Sequence, residues 1–220
     1  HCALMDHYFN GGFYPMGGGA AIVKAMTTAI KRYGGEIHTG QTVKKILLAG
    51  EKKPRAIGVE LQGGEQIVAK RIISNADPEA TYKLVGHSNL SKKLLKKLAT
   101  TRYSVTSLIF FLTVEMDIRT AGLDSGNIWF MPDQDMDELY DDLTRVDILE
   151  KDEFASLFIS CSSLKDPLSF NGKQHTIEVV TFIDYGSFKE YKEEGRKHSE
   201  KYLLIKDRLC EKLLNTFKRI

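Results

Sequence analysis

The sequence predicts an α/β protein in two parts, a helix with a β-meander followed by a longer region of mixed sheet and helices. Three observations predict this architecture. Apolar residues recur at every fourth position near residue 20, three β-rich runs with short turns follow, and further β-rich runs alternate with helical segments after residue 77. The 220 residues are enough for one large domain or two small ones with a buried core.

The first helix is predicted over residues 20–33. Its apolar side chains keep the spacing of an amphipathic helix: Ile22, Met26 and Ile30. Gly34 and Gly35 come next, and glycine supplies the left-handed cap at which many helices end. A short strand is expected at Glu36–Thr39.

Three strands come next and predict the β-meander. They cover Val43–Ala49, Ala56–Leu61 and Gln66–Ile73. The pair Gly63 and Gly64, between the last two strands, suits a two-residue hairpin turn because such a turn needs positive φ.

The segment SNADP ends the meander. Asn75 and Asp77 suit a turn or a helix cap, and Pro78 suits the first position of a helix. A short helix is predicted at Leu90–Ala99. Strands are predicted at Val105–Glu115, Asn127–Met131, Phe154–Cys161 and Thr176–Asp184.

The last helix is predicted over residues 199–217. It carries an apolar stripe with a spacing of four: Ile205, Leu209, Leu213 and Phe217. The stripe predicts that this helix packs against a sheet.

Composition excludes several classes of protein. A net charge of only +2 gives no basic face for nucleic acid. Cys2, Cys161 and Cys210 are far apart and odd in number, which argues against a disulfide framework or zinc knuckle and fits reduced thiols in the cytoplasm. The longest apolar run, Ser107–Val114, is too short to cross a bilayer, and no signal peptide is visible.

The segment GGFYPMGGG, residues 11–19, raises the question of a phosphate site before the first helix. A dinucleotide fingerprint has glycines spaced G-x-G-x-x-G, but Gly17 and Gly19 are followed at the third place by Ile22. A P-loop needs Lys directly after the second glycine, where this chain has Gly18. We interpret the segment as a loop that leads into a helix.

No metal site is predicted. The acidic run DQDMDE, with Asp133, Asp135 and Asp137, imitates the start of a calcium loop but lacks the required Gly and final Glu, so it reads as a solvated helix start. The six histidines never adopt the close spacing of a helical metal pair. His38 is read as a surface or hydrogen-bonded histidine.

The segment LSKKLLKKL, residues 90–98, alternates leucines with four lysines: Lys92, Lys93, Lys96 and Lys97. Such a helix suits a membrane interface, with leucines inserted and lysines near anionic headgroups. It equally suits an ordinary surface helix packed on its own domain.

Taken together, four segments resemble the phytoene desaturase, carotenoid isomerase and retinol saturase group of FAD-dependent oxidoreductases. They are PMGGGAAIVKAM, YGGEIHTGQTVKKI, AIGVELQGGEQIVAKRIISNADP and, more weakly, SLFISCSSLKDPLSFNGKQHTIEVVTF. The resemblance implies that residues 1–77 are part of an FAD/NAD(P)-binding domain and residues 78–220 a substrate domain. The resemblance implies that the glycines of residues 17–19 form the junction that brings the chain back from the substrate domain into the flavin domain, with a steric role.

The resemblance also implies where a flavin would lie. QTVKKI resembles the segment whose backbone, at Val43, meets the FAD adenine, and SNADP resembles the turn beside the cofactor, which points to Asn75, Ala76 and Asp77. Read from the residues alone, Val43 is a strand residue and Asp77 a helix cap. The G-x-G-x-x-G and C-terminal flavin motifs of the family are absent from these residues, so we expect this chain alone to bind little or no FAD and to be inactive.

For the parent protein, the resemblance implies hydride exchange between flavin and a carotenoid or retinoid, or flavin-assisted isomerisation. The runs SLIFFLTV and HTIEVVTFI would line an apolar tunnel with alternate side chains. Because polyenes reside in membranes, the resemblance strengthens the interpretation of the four lysines of residues 92–97 as a peripheral membrane contact. The alternative is a non-catalytic module that binds an apolar ligand or a membrane surface.

Overall fold

A computed structural model describes residues 9–132, 135–143, 147, 149–191 and 199–220. The chain divides into two compact units. The meander unit is Thr27–Tyr103, and the sheet unit combines the residues up to Met26 with Ser104–Ile220. The meander unit thus includes residues 78–103, which the sequence analysis assigns to a substrate domain. The functional division at residue 77 stays a prediction.

The first helix and the meander form as predicted, with small changes at the edges. Helix α1 is Gly18–Arg32, and strands β1, β2 and β3 are Val43–Ala49, Arg55–Leu61 and Gln66–Val68. The three strands form an antiparallel sheet in the order β1-β2-β3. Ile46 and Leu61, each 6% exposed, form its buried centre.

One strand prediction in this unit is wrong, and another is too long. Residues 36–39 form no strand, and His38 instead bonds to the Glu36 carboxylate at 2.9 Å. β3 stops at Val68, and the pairing ends with a hydrogen bond from Ala69 N to Ile57 O. Beyond that bond the backbone bends, and the apolar Ile73 pairs with none of the described strands and is exposed.

The β2–β3 turn is longer than a two-residue turn. Gly64 N donates to Leu61 O at 2.9 Å, and Leu61 N donates to Glu65 O at 2.8 Å. Only Gly64 has positive φ, at 89°. This is a type I turn followed by a left-handed residue, the common three-residue hairpin.

Two short helices complete the meander unit. Helix α2, Pro78–Val85, has Pro at its start and Asp77 as its N-cap, as predicted. A 3₁₀ turn at His87–Asn89 leads to α3, Lys92–Ala99, which Ser91 caps by accepting from Leu94 N. α2 packs against β1.

The sheet unit is built on four antiparallel strands. They are β4 Thr106–Val114, β5 Asn127–Phe130, β6 Leu157–Cys161 and β7 His175–Ile183, in the order β4-β7-β6-β5. A mixed sheet is therefore the wrong prediction for these residues. The consecutive neighbours β6 and β7 are joined by short helical turns, which reverse the chain instead of carrying it across as a parallel crossover does.

One face of this sheet forms the core of the unit. Helix α6, Glu200–Phe217, packs there through its predicted stripe, in which Ile205, Leu209 and Leu213 are at most 4% exposed. Val179 at the centre of β7 is fully buried. Two smaller helices, α4 Met136–Leu143 and α5 Ser162–Lys165, complete the unit.

Along the described part of the chain, no helix combines the length and apolar character needed to cross a membrane.

Candidate functional site

The residues predicted to meet a flavin all lie in the meander unit. Val43 is half-buried at the start of β1 and pairs with Leu61. A shift of register between Val43 and Lys45 interrupts the regular ladder beside it. Asn75, Ala76 and Asp77 are exposed in the turn that leads into α2. Their contact with a cofactor stays a prediction.

Asp77 holds this turn through both carboxylate oxygens. Oδ1 accepts from Ala80 N at 2.9 Å, and Oδ2 accepts from the Tyr103 hydroxyl at 2.7 Å. Both bonds favour the ionised carboxylate, so the pKa of Asp77 lies below its ordinary value, chiefly because of the Ala80 N–H. The same bond to Asp77 raises the pKa of Tyr103. The helix-cap interpretation of Asp77 is confirmed.

Tyr103→Phe tests this cluster. Removing the phenol hydroxyl takes away one of the two bonds to the carboxylate, so we expect the pKa of Asp77 to rise part of the way to its ordinary value. The bond from Ala80 N keeps it lowered. An NMR titration of the Asp77 side chain measures the change, with Tyr33→Phe as a control at an exposed tyrosine. An unchanged Asp77 pKa would show that Tyr103 does not bind it in solution.

The second candidate site is the outer face of the four-stranded sheet, opposite the core. Strand register places Ile109 beside Val180, Val180 beside Phe158, and Phe158 beside Trp129. We call these four residues the apolar row, because they cross all four strands on one face. Ile109 and Trp129 are 46% and 48% exposed. The Trp129 and Phe158 rings pack edge to face, with 4.6 Å between their centroids.

A polar row lies two residues further along the strands. Register aligns Glu178 with Ser160 and Ser160 with Asn127, with Phe111 at the β4 end. Glu178, Ser160 and Asn127 are called the polar row below. Because residues two apart share a face, about 7 Å separates it from the apolar row.

Lys165, the last residue of α5, reaches the polar row. Its ammonium donates to Ser160 Oγ at 2.5 Å and to Asn127 Oδ1. Partial burial lowers the pKa of Lys165, while the nearby Cys161 and Glu178 act in the opposite direction. The Tyr14 ring lies 5.9 Å from the same ammonium.

The glycine-rich loop brings Tyr14 to this position. Gly17 N donates to Asp166 Oδ2 at 2.9 Å, and Asp166, only 3% exposed, also accepts from Leu168 N. A Cβ on Gly18, whose φ is +62°, would lie 3.2 Å from the Tyr14 hydroxyl oxygen. Glycine at position 18 therefore adopts a positive φ and leaves room for the Tyr14 hydroxyl, while the junction that the resemblance implies for residues 17–19 stays a prediction.

Comparison with known proteins finds relatives along nearly the whole chain. The all-trans-retinol 13,14-reductase of Danio rerio is 28% identical to this chain over 100% of the chain's length. The Homo sapiens protein of the same name is 30% identical over 91% of the chain. The chain is also 28% identical to the chloroplastic prolycopene isomerase of Arabidopsis thaliana over 81%. The chain is a relative of the retinol reductases and prolycopene isomerases.

This finding confirms the family resemblance seen in the sequence. The chain spans about a third of the length of the retinol reductases, 37% of the Danio rerio protein and 34% of the human one. No protein-family model matches it.

In this relative of the retinol reductases, sequence reasoning missed Lys165, Asp166 and Glu178. One local signal was available for Asp166, because Asp directly before Pro commonly caps a helical turn. Lys165 and Glu178 gave no such signal, since strand register and the position of α5 decide where they lie.

His175 is another residue that the sequence left unassigned. It is 5% exposed, its Nδ1 bonds to Ser163 Oγ at 2.9 Å, and Phe170 stacks on its ring. Cys161 Sγ lies 3.4 Å from the same Ser163 oxygen. These contacts tie α5 to β7 and thereby hold Lys165 in place.

The remaining predictions concern metals and lysines. Asp133 lies outside the described residues, while Asp135 accepts from Asp137 N where α4 begins, as expected of an acidic helix start. Within the described ranges, no group of three or more His, Cys, Asp or Glu is placed to hold a metal. In α3 the four lysines are exposed and the leucines Leu94, Leu95 and Leu98 are half-buried.

Proposed function

We propose that this chain belongs to an FAD-dependent oxidoreductase that acts on a polyene such as a carotenoid or retinoid, and that the outer sheet face forms one wall of its substrate site. The apolar row carries this proposal, because it leaves an apolar surface open on a sheet whose other face is filled. Relatives named for retinol and prolycopene support the ligand class.

The shape of the apolar row suits an extended apolar ligand. Four strands spaced by about 4.8 Å give a row about 14 Å long. The two aromatic members, Phe158 and Trp129, provide flat contacts to a conjugated chain. Phe182 on β7 and Phe111 on β4 add exposed aromatic surface on either side of the row. Removing such apolar surface from water contributes a favourable free energy of about 25 cal/mol per Å².

In this proposal the meander unit contributes to the flavin site. Val43 would meet the adenine through its backbone, and the exposed turn of Asn75 and Ala76 would meet the ribose or phosphates. Both oxygens of Asp77 are already engaged, so this residue would shape the turn rather than bind the cofactor directly. A flavin held there would supply hydride exchange with the substrate. This chain's part is to hold the polyene and exclude water from it.

Trp129 provides a direct test, because it is the single tryptophan of the sequence and lies in the apolar row. Adding all-trans-retinol to the chain is expected to quench Trp129 fluorescence to saturation. Ile109→Glu, which places a charge in the apolar row, should weaken binding by about ten-fold or more. Leu214→Glu is the matched control, an exposed apolar residue on α6 that should leave binding unchanged.

If Ile109→Glu leaves the affinity for retinol unchanged, the ligand binds elsewhere, and the proposed wall is contradicted. The redox part is tested separately in the protein expressed from the natural start to the natural end of its gene. We expect that protein to show a bound flavin spectrum and this chain alone to show little. A colourless, folded full-length protein that still binds retinol would favour the alternative, a non-catalytic module for apolar ligands.

The prediction of membrane contact through α3 is retained in a narrower form. Its leucines are half-buried, so they offer less surface for insertion than the sequence pattern implies. The exposed lysines Lys92, Lys93, Lys96 and Lys97 keep the electrostatic part of the interaction with anionic lipids, about 1 kcal/mol for each lysine near the surface.

A further inference from the structure

The turn before β7 contains an asparagine that is followed by glycine. Of the six asparagines in the sequence, only Asn10 and Asn171 precede a glycine, and both lie in the tripeptide FNG, at residues 9–11 and 170–172. Glycine has no side chain to hinder its amide nitrogen from attacking the asparagine side chain, so both pairs are open to deamidation. Because the two tripeptides are identical, the surrounding structure decides which asparagine reacts faster.

The side-chain carbonyl of Asn171 accepts two backbone hydrogen bonds. Its Oδ1 accepts from Gln174 N at 2.7 Å and from Lys173 N at 3.0 Å, and its Nδ2 donates to Gln174 Oε1 at 3.4 Å. Asparagine commonly holds a turn through such bonds to the backbone. Two N–H groups directed at one carbonyl oxygen also stabilise the negative charge that develops there when a nucleophile attacks the carbonyl carbon.

The nucleophile for such an attack is the next residue in the chain, and it is accessible. Gly172 is exposed, and a Cβ added there would meet no atom within 4 Å. Its amide donates no hydrogen bond to the residues that the structure describes, so hydroxide from the solvent can remove the amide proton. Asn10 is also exposed, but no described N–H group donates to its side chain. The polarised carbonyl therefore distinguishes Asn171 from Asn10.

We propose that Asn171 is a site of spontaneous deamidation in the folded protein. The deprotonated Gly172 nitrogen attacks Asn171 Cγ, so a C–N bond forms and a five-membered succinimide ring closes within the chain. The bond from Cγ to Nδ2 breaks, and this nitrogen takes a proton from water and leaves as ammonia. Water then opens the ring at either carbonyl, which gives aspartate or isoaspartate. Water is the only other reactant, and the modification is independent of the proposed function.

The two products have different effects on the turn. Aspartate keeps a side-chain oxygen that accepts from both N–H groups, so the turn persists. Isoaspartate adds a methylene group to the main chain directly before Gln174, whose Nε2 donates to Glu115 Oε1 at 2.7 Å beside the end of β4. The following residue, His175, is the contact through which β7 holds α5. Isoaspartate therefore loosens the junction of β4, β7 and α5, whereas aspartate does not.

Peptide mass spectrometry of the chain after incubation in mildly alkaline buffer tests the proposal, with Asn10 as the internal comparison. Deamidation is seen as the gain in mass when the side-chain NH₂ is replaced by OH. In the folded chain we expect Asn171 to react about ten-fold faster than Asn10, because its carbonyl is polarised by two donors. In urea those donors are lost, so the two rates should agree within about two-fold. Equal rates in the folded chain, or a faster reaction at Asn10, would overturn the proposal.

Variants separate the products and assign them to one position. Isoaspartate, measured by methyl transfer with an isoaspartyl methyltransferase, should accumulate in the aged chain and in Asn10→Ala but fall at least several-fold in Asn171→Ala. Asn171→Asp reproduces one product and should keep the melting temperature of the unmodified chain, whereas the aged, isoaspartate-containing fraction should melt lower. Undiminished isoaspartate in Asn171→Ala would contradict the assignment to this position.

Discussion

Leu209→Ala is expected to destabilise the sheet unit by about 3 kcal/mol. Leu209 lies in the middle of the buried stripe of α6 and is 2% exposed among the side chains of the inner sheet face. Truncation removes its apolar surface from the core and leaves a cavity that packed neighbours fill only in part. Urea unfolding followed by Trp129 fluorescence measures the loss, because Trp129 belongs to this sheet.

Leu214→Ala is the control on the same helix. Its side chain is 61% exposed, so the same chemical change should alter the free energy of unfolding by no more than about 0.5 kcal/mol. A similar loss in both variants would mean that α6 does not pack on the sheet through the stripe of Leu209. A change in the denaturant slope instead of the midpoint would indicate an altered unfolded state.

The sequence predicted the elements whose information is local. The stripe of α6 repeats every four residues, and Ser199 precedes it as a cap, so its ends were found to within a residue. The first two meander strands also depend on local information, because consecutive strands joined by a short turn usually pair. The third was predicted too long, because apolar residues beyond Val68 continue the pattern but pair with no strand in the described part of the chain.

The candidate ligand face depends on information that is not local. β4 and β7 pair although about 60 residues separate them in sequence, and this pairing decides that Ile109 meets Val180. A shift of one residue would turn the apolar row into the core and expose core residues instead. The run SLIFFLTV predicted a strand whose alternate side chains line an apolar surface, but not which residues of the other strands lie beside them.

Gly58→Ala is expected to lower the free energy needed to open the β2–β3 pairing by about 2 kcal/mol. A Cβ at Gly58 would lie 2.4 Å from the Ile67 carbonyl oxygen, closer than any real contact allows. The obstructing atom belongs to the backbone of the paired strand, so relief requires β3 to move away rather than a side chain to rotate. Hydrogen exchange of the Ala69 amide, which bonds to Ile57 O at 2.9 Å, measures this loss.

Gly63→Ala provides the matched control for Gly58→Ala in the same hairpin. No atom lies within 4 Å of the added Cβ, and Gly63 does not have positive φ, so protection of Ala69 should stay the same. Equal exchange in the two variants would contradict the close approach of β2 and β3. Loss of protection in Gly58→Ala alone would show that glycine is needed there because two backbones meet, whereas the neighbouring turn tolerates a side chain.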